Sequence, residues 1–210
     1  MKLSEPVVGL VLSGGRSSRM GGGDKCLLRL GGESVLIRIL RALKTQVNEV
    51  IINANGDPSR FAEFGLPVVP DSIVGLAGPL AGIHAGLEWV KGHASGVRMV
   101  ATIASDTPFF PPDLVQRFLS ALGDEPALAV AASNVGVHPV VGLWPVAIAS
   151  KIEEALDRGM RKAGAFVKDN SATEVFFEPT RVGKALVDPF FNINRPEDLA
   201  QAEALLRENT

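Results

Sequence analysis

Leu10-Val11-Leu12-Ser13-Gly14-Gly15-Arg16-Ser17-Ser18-Arg19-Met20-Gly21-Gly22-Gly23-Asp24-Lys25 is the stretch on which the fold turns. The apolar run from Val7 to Leu12 reads as a short buried strand that stops at Ser13. A loop with five glycines, two serines and two arginines follows, and it ends at Lys25. Glycines let a backbone bend and turn its N–H groups inward. Hydroxyls add donors, and cations face phosphate oxygens. The alternative is a flexible surface turn with scattered charges. Three cations in one loop directly after a buried strand favour a phosphate cradle. The loop is not a Walker A motif, because Lys25 follows Asp24 and precedes Cys26. Nor is it the dinucleotide fingerprint, since Cys26 stands where Gly21-Gly22-Gly23 would need a further glycine.

Working outward, Ser34 is placed to cap a helix running to about Lys44, with Leu36, Ile39, Leu40 and Leu43 on one face. Val50-Ile51-Ile52 reads as a second buried strand ending at Asn53, whose amide is either a turn cap or a ligand contact. Pro67 to Pro70 reads as a third strand, followed by Asp71. Pro79 fits the first turn of a helix reaching about Val90. Gly78, Gly82 and Gly86 share one face of it. Each helical glycine costs about 1 kcal/mol against alanine, so something must approach that face closely. Tight helix–sheet packing and a ligand at the helix start both meet the need, with Gly78 at the ligand and the later glycines in packing. His84 reads as structural, with no second histidine at ligand spacing.

Met99 to Ala104 is the next buried strand, and Asp106 follows it. A carboxylate at the carboxyl edge of a sheet can hold Mg²⁺, a hard cation that keeps several waters; the alternative is an Asx-turn before Pro108. Pro112 opens a further helix. In the second half, Ala127–Ala132 and His138–Pro145 read as strands, Ile148–Leu156 and Lys162–Lys168 as helices, and Ala172–Phe177 as strand. Arg161 and Lys162 form a local basic pair, either a solvated helix start or an anion contact. Asn192 and Asn194 are two apart in an extended stretch, so both amides face one way. Such a pair suits a heteroaromatic ring with mixed donors and acceptors.

Strands alternating with helices imply a three-layer α/β fold: a mostly parallel central sheet with helices on both faces. The tips Ser13, Asn53, Asp71 and Asp106 should then converge at one edge, which suits nucleotidyl or phosphoryl transfer. Residues 1–210 suit one domain with a sizeable core. A net charge of −2 argues against non-specific nucleic-acid binding. Met1 to Pro6 reads as neither signal peptide nor membrane anchor. The single cysteine, Cys26, excludes an internal disulfide and a Cys-based zinc site, and a cytoplasmic location is the default. Beside Lys25 its thiol pKa could fall; the alternative is a small buried residue opening an apolar run.

The pattern L-x-G-G-x-S-x-R-M-G-x-x-D-K from Leu12 to Lys25 resembles the signature of the molybdenum cofactor guanylyltransferases, within the nucleotidyltransferases of glycosyltransferase-A-like fold. F-x-N-x-N-x-P-E-D-L from Phe190 matches the same family, so the resemblance spans residues 7 to about 203. Ser13 departs from it, since the family usually has Ala there. The resemblance implies transfer of GMP from GTP to the phosphate of molybdopterin, with release of pyrophosphate. It implies that Leu12, Ser13, Gly14, Lys25, Asn53, Asp71 and Asp106 bind GTP, with Gly15 and Gly78 beside them. Asp106 would hold Mg²⁺, Arg19 and Lys25 would neutralise the triphosphate, and Arg161, Asn192 and Asn194 would hold the pterin. Asp71 could read either guanine or ribose. GTP and molybdopterin are then the partners, with no nucleic acid or membrane and with room for transient contact with other molybdenum cofactor proteins. The alternatives are a cytidylyl sister enzyme, a GTP-binding module without catalysis, and transfer to a sugar phosphate. Gly14-Gly15 after Ser13 looks like the guanine type.

Overall fold

The computed structural model describes residues 5–13, 24–73, 78–123 and 126–207. Strand β1 (Val7–Leu12) comes first. A 3-10 turn (Lys25–Leu27), the short hairpin β2 (Arg29–Leu30) and β3 (Glu33–Ser34), and helix α1 (Val35–Lys44) follow. Next are β4 (Glu49–Asn53), a 3-10 segment (Pro58–Phe64), β5 (Val68–Val69), α2 (Pro79–His93) and β6 (Met99–Ala104). The remainder holds α3 (Leu114–Leu122), β7 (Ala129–Ser133), β8 (Gly136–Pro145), α4 (Ala149–Asp157), α5 (Ala163–Asp169) and β9 (Thr173–Phe176). A hairpin of β10 (Thr180–Val182) and β11 (Ala185–Val187) then leads to α6 (Pro196–Arg207).

One seven-stranded sheet carries the fold, in the order β5-β4-β1-β6-β8-β7-β9. The pairs β5/β4, β4/β1, β1/β6 and β7/β9 are parallel. Strand β1 is buried along its whole length because both faces of the sheet are covered. Val7 and Val11 join α1, α3 and α6 on one side, while Val8, Leu10 and Leu12 join α2, α4 and α5 on the other. Each fully buried large apolar side chain contributes about 1.5–3 kcal/mol, so these two layers hold the sheet. Ser34 caps α1 as expected, its Oγ accepting the Ile37 N–H at 3.2 Å.

The exception to parallel order is β8, which runs antiparallel to both β6 and β7. Only Asn134 and Val135 separate Ser133 from its partner Gly136, whose φ of +124° suits glycine, so β7 and β8 must form a hairpin. Pairing then jumps from Val130↔Gly142 to Ala131↔His138, leaving residues 139–141 as a bulge. Pro139 has no N–H to give the ladder. The bulged Val140 carbonyl is met instead by Thr102 Oγ1 at 2.8 Å, and that oxygen in turn accepts Trp144 Nε1–H at 2.9 Å.

The glycine face of α2 is explained by contact. A Cβ on Gly86 would lie 2.3 Å from Leu10 of β1, and one on Gly82 would lie 2.2 Å from Asn53 Oδ1. At Gly78 (φ +150°) the close neighbour is backbone, the Arg161 carbonyl oxygen at 2.6 Å.

Candidate active site

The ladder continues past the ends of the central strands. The Ser13 N–H donates to the Asn53 carbonyl at 2.8 Å, and the Ser105 N–H donates to the Leu12 carbonyl at 3.0 Å. Leu12, Ser13, Asn53 and Ser105 therefore stand side by side at the carboxyl edge, where open α/β sheets bind ligands. Two polar clusters flank them.

The first cluster lies at β4 and β5. Asn53 Nδ2 donates to Asp71 Oδ1 at 2.9 Å, and Asn55 Nδ2 donates to Asp71 Oδ2 at 2.7 Å. Asn55 Oδ1 also accepts the Asp71 N–H at 2.9 Å. The carboxylate is thus fixed by an amide on each oxygen, with lone pairs left to accept N–H or O–H groups of a ligand. Arg60 connects this cluster to the end of the glycine loop: its guanidinium pairs with Asp24 at 2.7 Å and donates to the Asn55 carbonyl at 2.6 Å. No motif points to Asn55 or Arg60. The one available signal is the Asn53–Asn55 spacing, which puts two amides on one side of extended chain.

The second cluster lies at β6. Asn192 Nδ2 donates to Asp106 Oδ1 at 3.2 Å, and the Ile193 N–H donates to the Asp106 carbonyl at 2.9 Å. Lys25 Nζ donates to Asn194 Oδ1 at 3.2 Å. Residues 25, 106 and 192–194 meet here although they are far apart in sequence. The two amides do face one way, towards Asp106 and Lys25. Burial raises the Asp106 carboxyl pKa, and the Lys25 charge pulls it back down. Among the described residues no group of three or more His, Cys, Asp or Glu side chains could hold a metal ion. A single, partly desolvated carboxylate such as Asp106 suits Mg²⁺, which takes one or two carboxylates and completes its shell with water and substrate phosphate oxygens.

Ser13 and Cys26 answer each other. Ser13 Oγ is hydrogen-bonded to Cys26 Sγ at 3.3 Å, so the extra hydroxyl is engaged within the protein. Cys26 is buried, and burial pushes its thiol pKa up against the lowering hydrogen bond from Ser13; it is a packing residue, not an activated thiol. His84 is buried in α2, with its Nδ1 hydrogen-bonded to Ser72 Oγ at 2.7 Å. Arg161 is placed by contacts of its own. Its Nη1 donates to the Leu156 and Met160 carbonyls at 2.8 and 3.0 Å, closing the end of α4, and its backbone packs on Gly78. Gly14, Gly15 and Arg19 lie outside the described residues. Among the described residues no helix is long and apolar enough to cross a membrane.

A mostly parallel sheet that gathers Lys25, Asp71 and Asp106 at its carboxyl edge fits a nucleotidyltransferase, and residues 9–173 match the family model of the MobA-like NTP transferase domain. The chain is 47% identical over 206 residues to a molybdenum cofactor guanylyltransferase of Mesorhizobium japonicum, covering 97% of this chain and 98% of that one. It is 44% identical to another from a Bradyrhizobium species, covering 95% and 92%. It therefore belongs to the molybdenum cofactor guanylyltransferase family. The fold is shared with the crystal structure of molybdopterin-guanine dinucleotide biosynthesis protein A from Archaeoglobus fulgidus: the TM-score is 0.68 at 22% identity, over 96% of this chain and 99% of that one.

Proposed function

We propose that this chain transfers GMP from GTP to the phosphate of molybdopterin, giving the guanine dinucleotide form of the cofactor and pyrophosphate. A terminal phosphate oxygen of the pterin attacks the α-phosphorus of GTP, the bond from that phosphorus to the bridging oxygen breaks, and pyrophosphate leaves with the electron pair. The attacking phosphate is already anionic near neutral pH, its second pKa being about 6, so no strong general base is required. The problem is repulsion between anions, and the chain's charges address it.

The observation that carries the reading is the meeting of Lys25 and Asp106 on one short segment, Asn192 to Asn194. In this reading Lys25, with Arg19, neutralises the triphosphate, and the amides of Ser13 to Gly15 hold it in line for attack. Asn53 and Asp71 bind the guanosine, and Gly78 lies beside it. Asn192 orients Asp106, Asn194 orients Lys25, and both line the pterin side with Arg161. Asp106 would hold a Mg²⁺ ion, which would supply positive charge to offset the charge that builds on departing pyrophosphate. Residues 1–210 serve as one nucleotidyltransferase domain, located in the cytoplasm, with GTP and molybdopterin as its small-molecule partners.

Pyrophosphate release tests this with GTP, CTP or ATP against molybdopterin and a sugar 1-phosphate. The reading expects release with GTP and molybdopterin, lost when Mg²⁺ is chelated and lost in Asp106→Ala. Faster release with CTP would make this the cytidylyl sister enzyme. GTP binding without any release would make it a binding module.

A further inference from the structure

Three polar side chains outside the nucleotide site meet at the far side of the sheet: Ser133 at the end of β7, His138 at the bulge of β8, and Asp188 just after β11. Ser133 Oγ donates to Asp188 Oδ2, is hydrogen-bonded to His138 Nε2 at 2.8 Å, and accepts the Val135 N–H at 3.3 Å. A hydroxyl has one proton and two lone pairs, and a carboxylate only accepts. The proton of Ser133 therefore goes to Asp188, and His138 must present Nε2–H. Ser133 is then fully satisfied. The other oxygen of Asp188 accepts the Phe190 N–H at 2.8 Å. The His138 ring lies 4.6 Å from that of Phe190, which is buried and stands edge-on to Phe177 at 5.4 Å.

Serine, histidine and aspartate together suggest a hydrolytic triad, but the bonding is wrong for one. In a triad the imidazole takes the serine proton, and the carboxylate holds the opposite ring nitrogen. Here the serine hydroxyl donates its hydrogen bond directly to the carboxylate, and Asp188 stands 3.9 Å from the same Nε2 that meets Ser133. Ser133 is also buried. What the trio does hold is the start of an extended segment. A few residues further on, that segment delivers Asn192 to Asp106, the Ile193 N–H to the Asp106 carbonyl, and Asn194 to Lys25. Phe191 packs on Phe109 at 6.1 Å between the two ends.

We propose that Ser133, His138 and Asp188 are positioning residues: a latch that fixes residues 188–194 and so sets the two amides that orient Asp106 and Lys25. This rests on the transfer reading above. The guanosine contacts lie at β4 and β5, across the sheet, and do not depend on the latch. Releasing it should therefore slow transfer more than it weakens GTP binding. Where a carboxylate holds a metal, losing the groups that orient it typically costs about 10–100-fold in activity.

The test uses Ser133→Ala, Asp188→Ala, the double variant and His138→Gln, which keeps an N–H donor. Pyrophosphate release and amide hydrogen exchange are both followed. The expected result is a fall in kcat of about tenfold or more in both single variants, with the KM for GTP within about threefold of wild type. The double variant should be no worse than the worse single one, because the two side chains act as a unit. His138→Gln should retain most of kcat. Exchange at Ile193 should quicken at least about tenfold in the single variants, while β1 stays protected. Unchanged exchange at Ile193 overturns the latch. So does quickened exchange with full kcat, or loss of kcat and GTP affinity together. A wild type that turns over no GTP with molybdopterin would count against the transfer reading alone, since the Ile193 exchange rate still decides the latch.

Discussion

Asp106 sits where function and stability pull apart. Burial raises its carboxyl pKa above the unfolded value. A raised carboxyl contributes stability that is complete below the unfolded pKa of about 3.9 and is lost as pH rises through the folded value. Above the unfolded pKa, burial of this carboxyl therefore destabilises the metal-free protein. Asp106→Asn should melt a few degrees higher than wild type in the presence of EDTA, yet show no transfer; thermal melts with and without Mg²⁺ check both halves. Lys25→Ala should lower kcat by about 10²-fold, the usual loss when a charge that stabilises a transition state is removed. Ser13→Ala should leave the KM for GTP unchanged within about twofold, because its hydroxyl is engaged with Cys26. The roles of Asn192 and Asn194 were only half legible in the sequence. Their two-residue spacing gave the shared direction, but nothing in the sequence could give their partners, because hydrogen bonds spanning 86 and 169 residues of chain have no local signature.

At the scale of elements, α2 shows why a glycine face exists. Gly82 leaves room for the Asn53 amide, which in turn orients Asp71. Gly82→Ala would put a Cβ 2.2 Å from Asn53 Oδ1. It should cost about 1–3 kcal/mol of stability, the range for overpacking, and raise the KM for GTP. Denaturant unfolding and GTP titration measure the two effects. Helices and buried strands were legible where a period repeats or an apolar run ends in a polar tip, as in α1 with its Ser34 cap. The direction of β8 was not. A two-residue turn at Asn134–Val135 and a bulge around Pro139 decide it, and both act through backbone pairing rather than through an apolar pattern.

For the whole molecule, pH acts through the far side of the sheet. Burial lowers the His138 pKa, against the upward pull of Asp188. A lowered imidazole contributes stability that is complete above the unfolded pKa of about 6.5 and is lost as pH falls through the folded value. In Asp106→Asn, which removes the opposing carboxyl, melting temperature should therefore decline from pH 8 towards pH 5.5, and adding His138→Gln should flatten that slope. The layered fold was legible as a whole because its helices and strands alternate, and the meeting of Lys25 with Asp106 followed from placing strand ends at one edge.

The family model stops at residue 173, the first residue of β9, whereas the amides that reach Asp106 and Lys25 belong to residues 192–194. Synthesis runs from the amino terminus, so Lys25 and Asp106 emerge long before the amides that hydrogen-bond to them. A growing chain can form its central strands and still lack a finished reaction centre until the closing stretch has left the ribosome. An expression fragment trimmed to the matched borders would inherit that same unfinished state permanently.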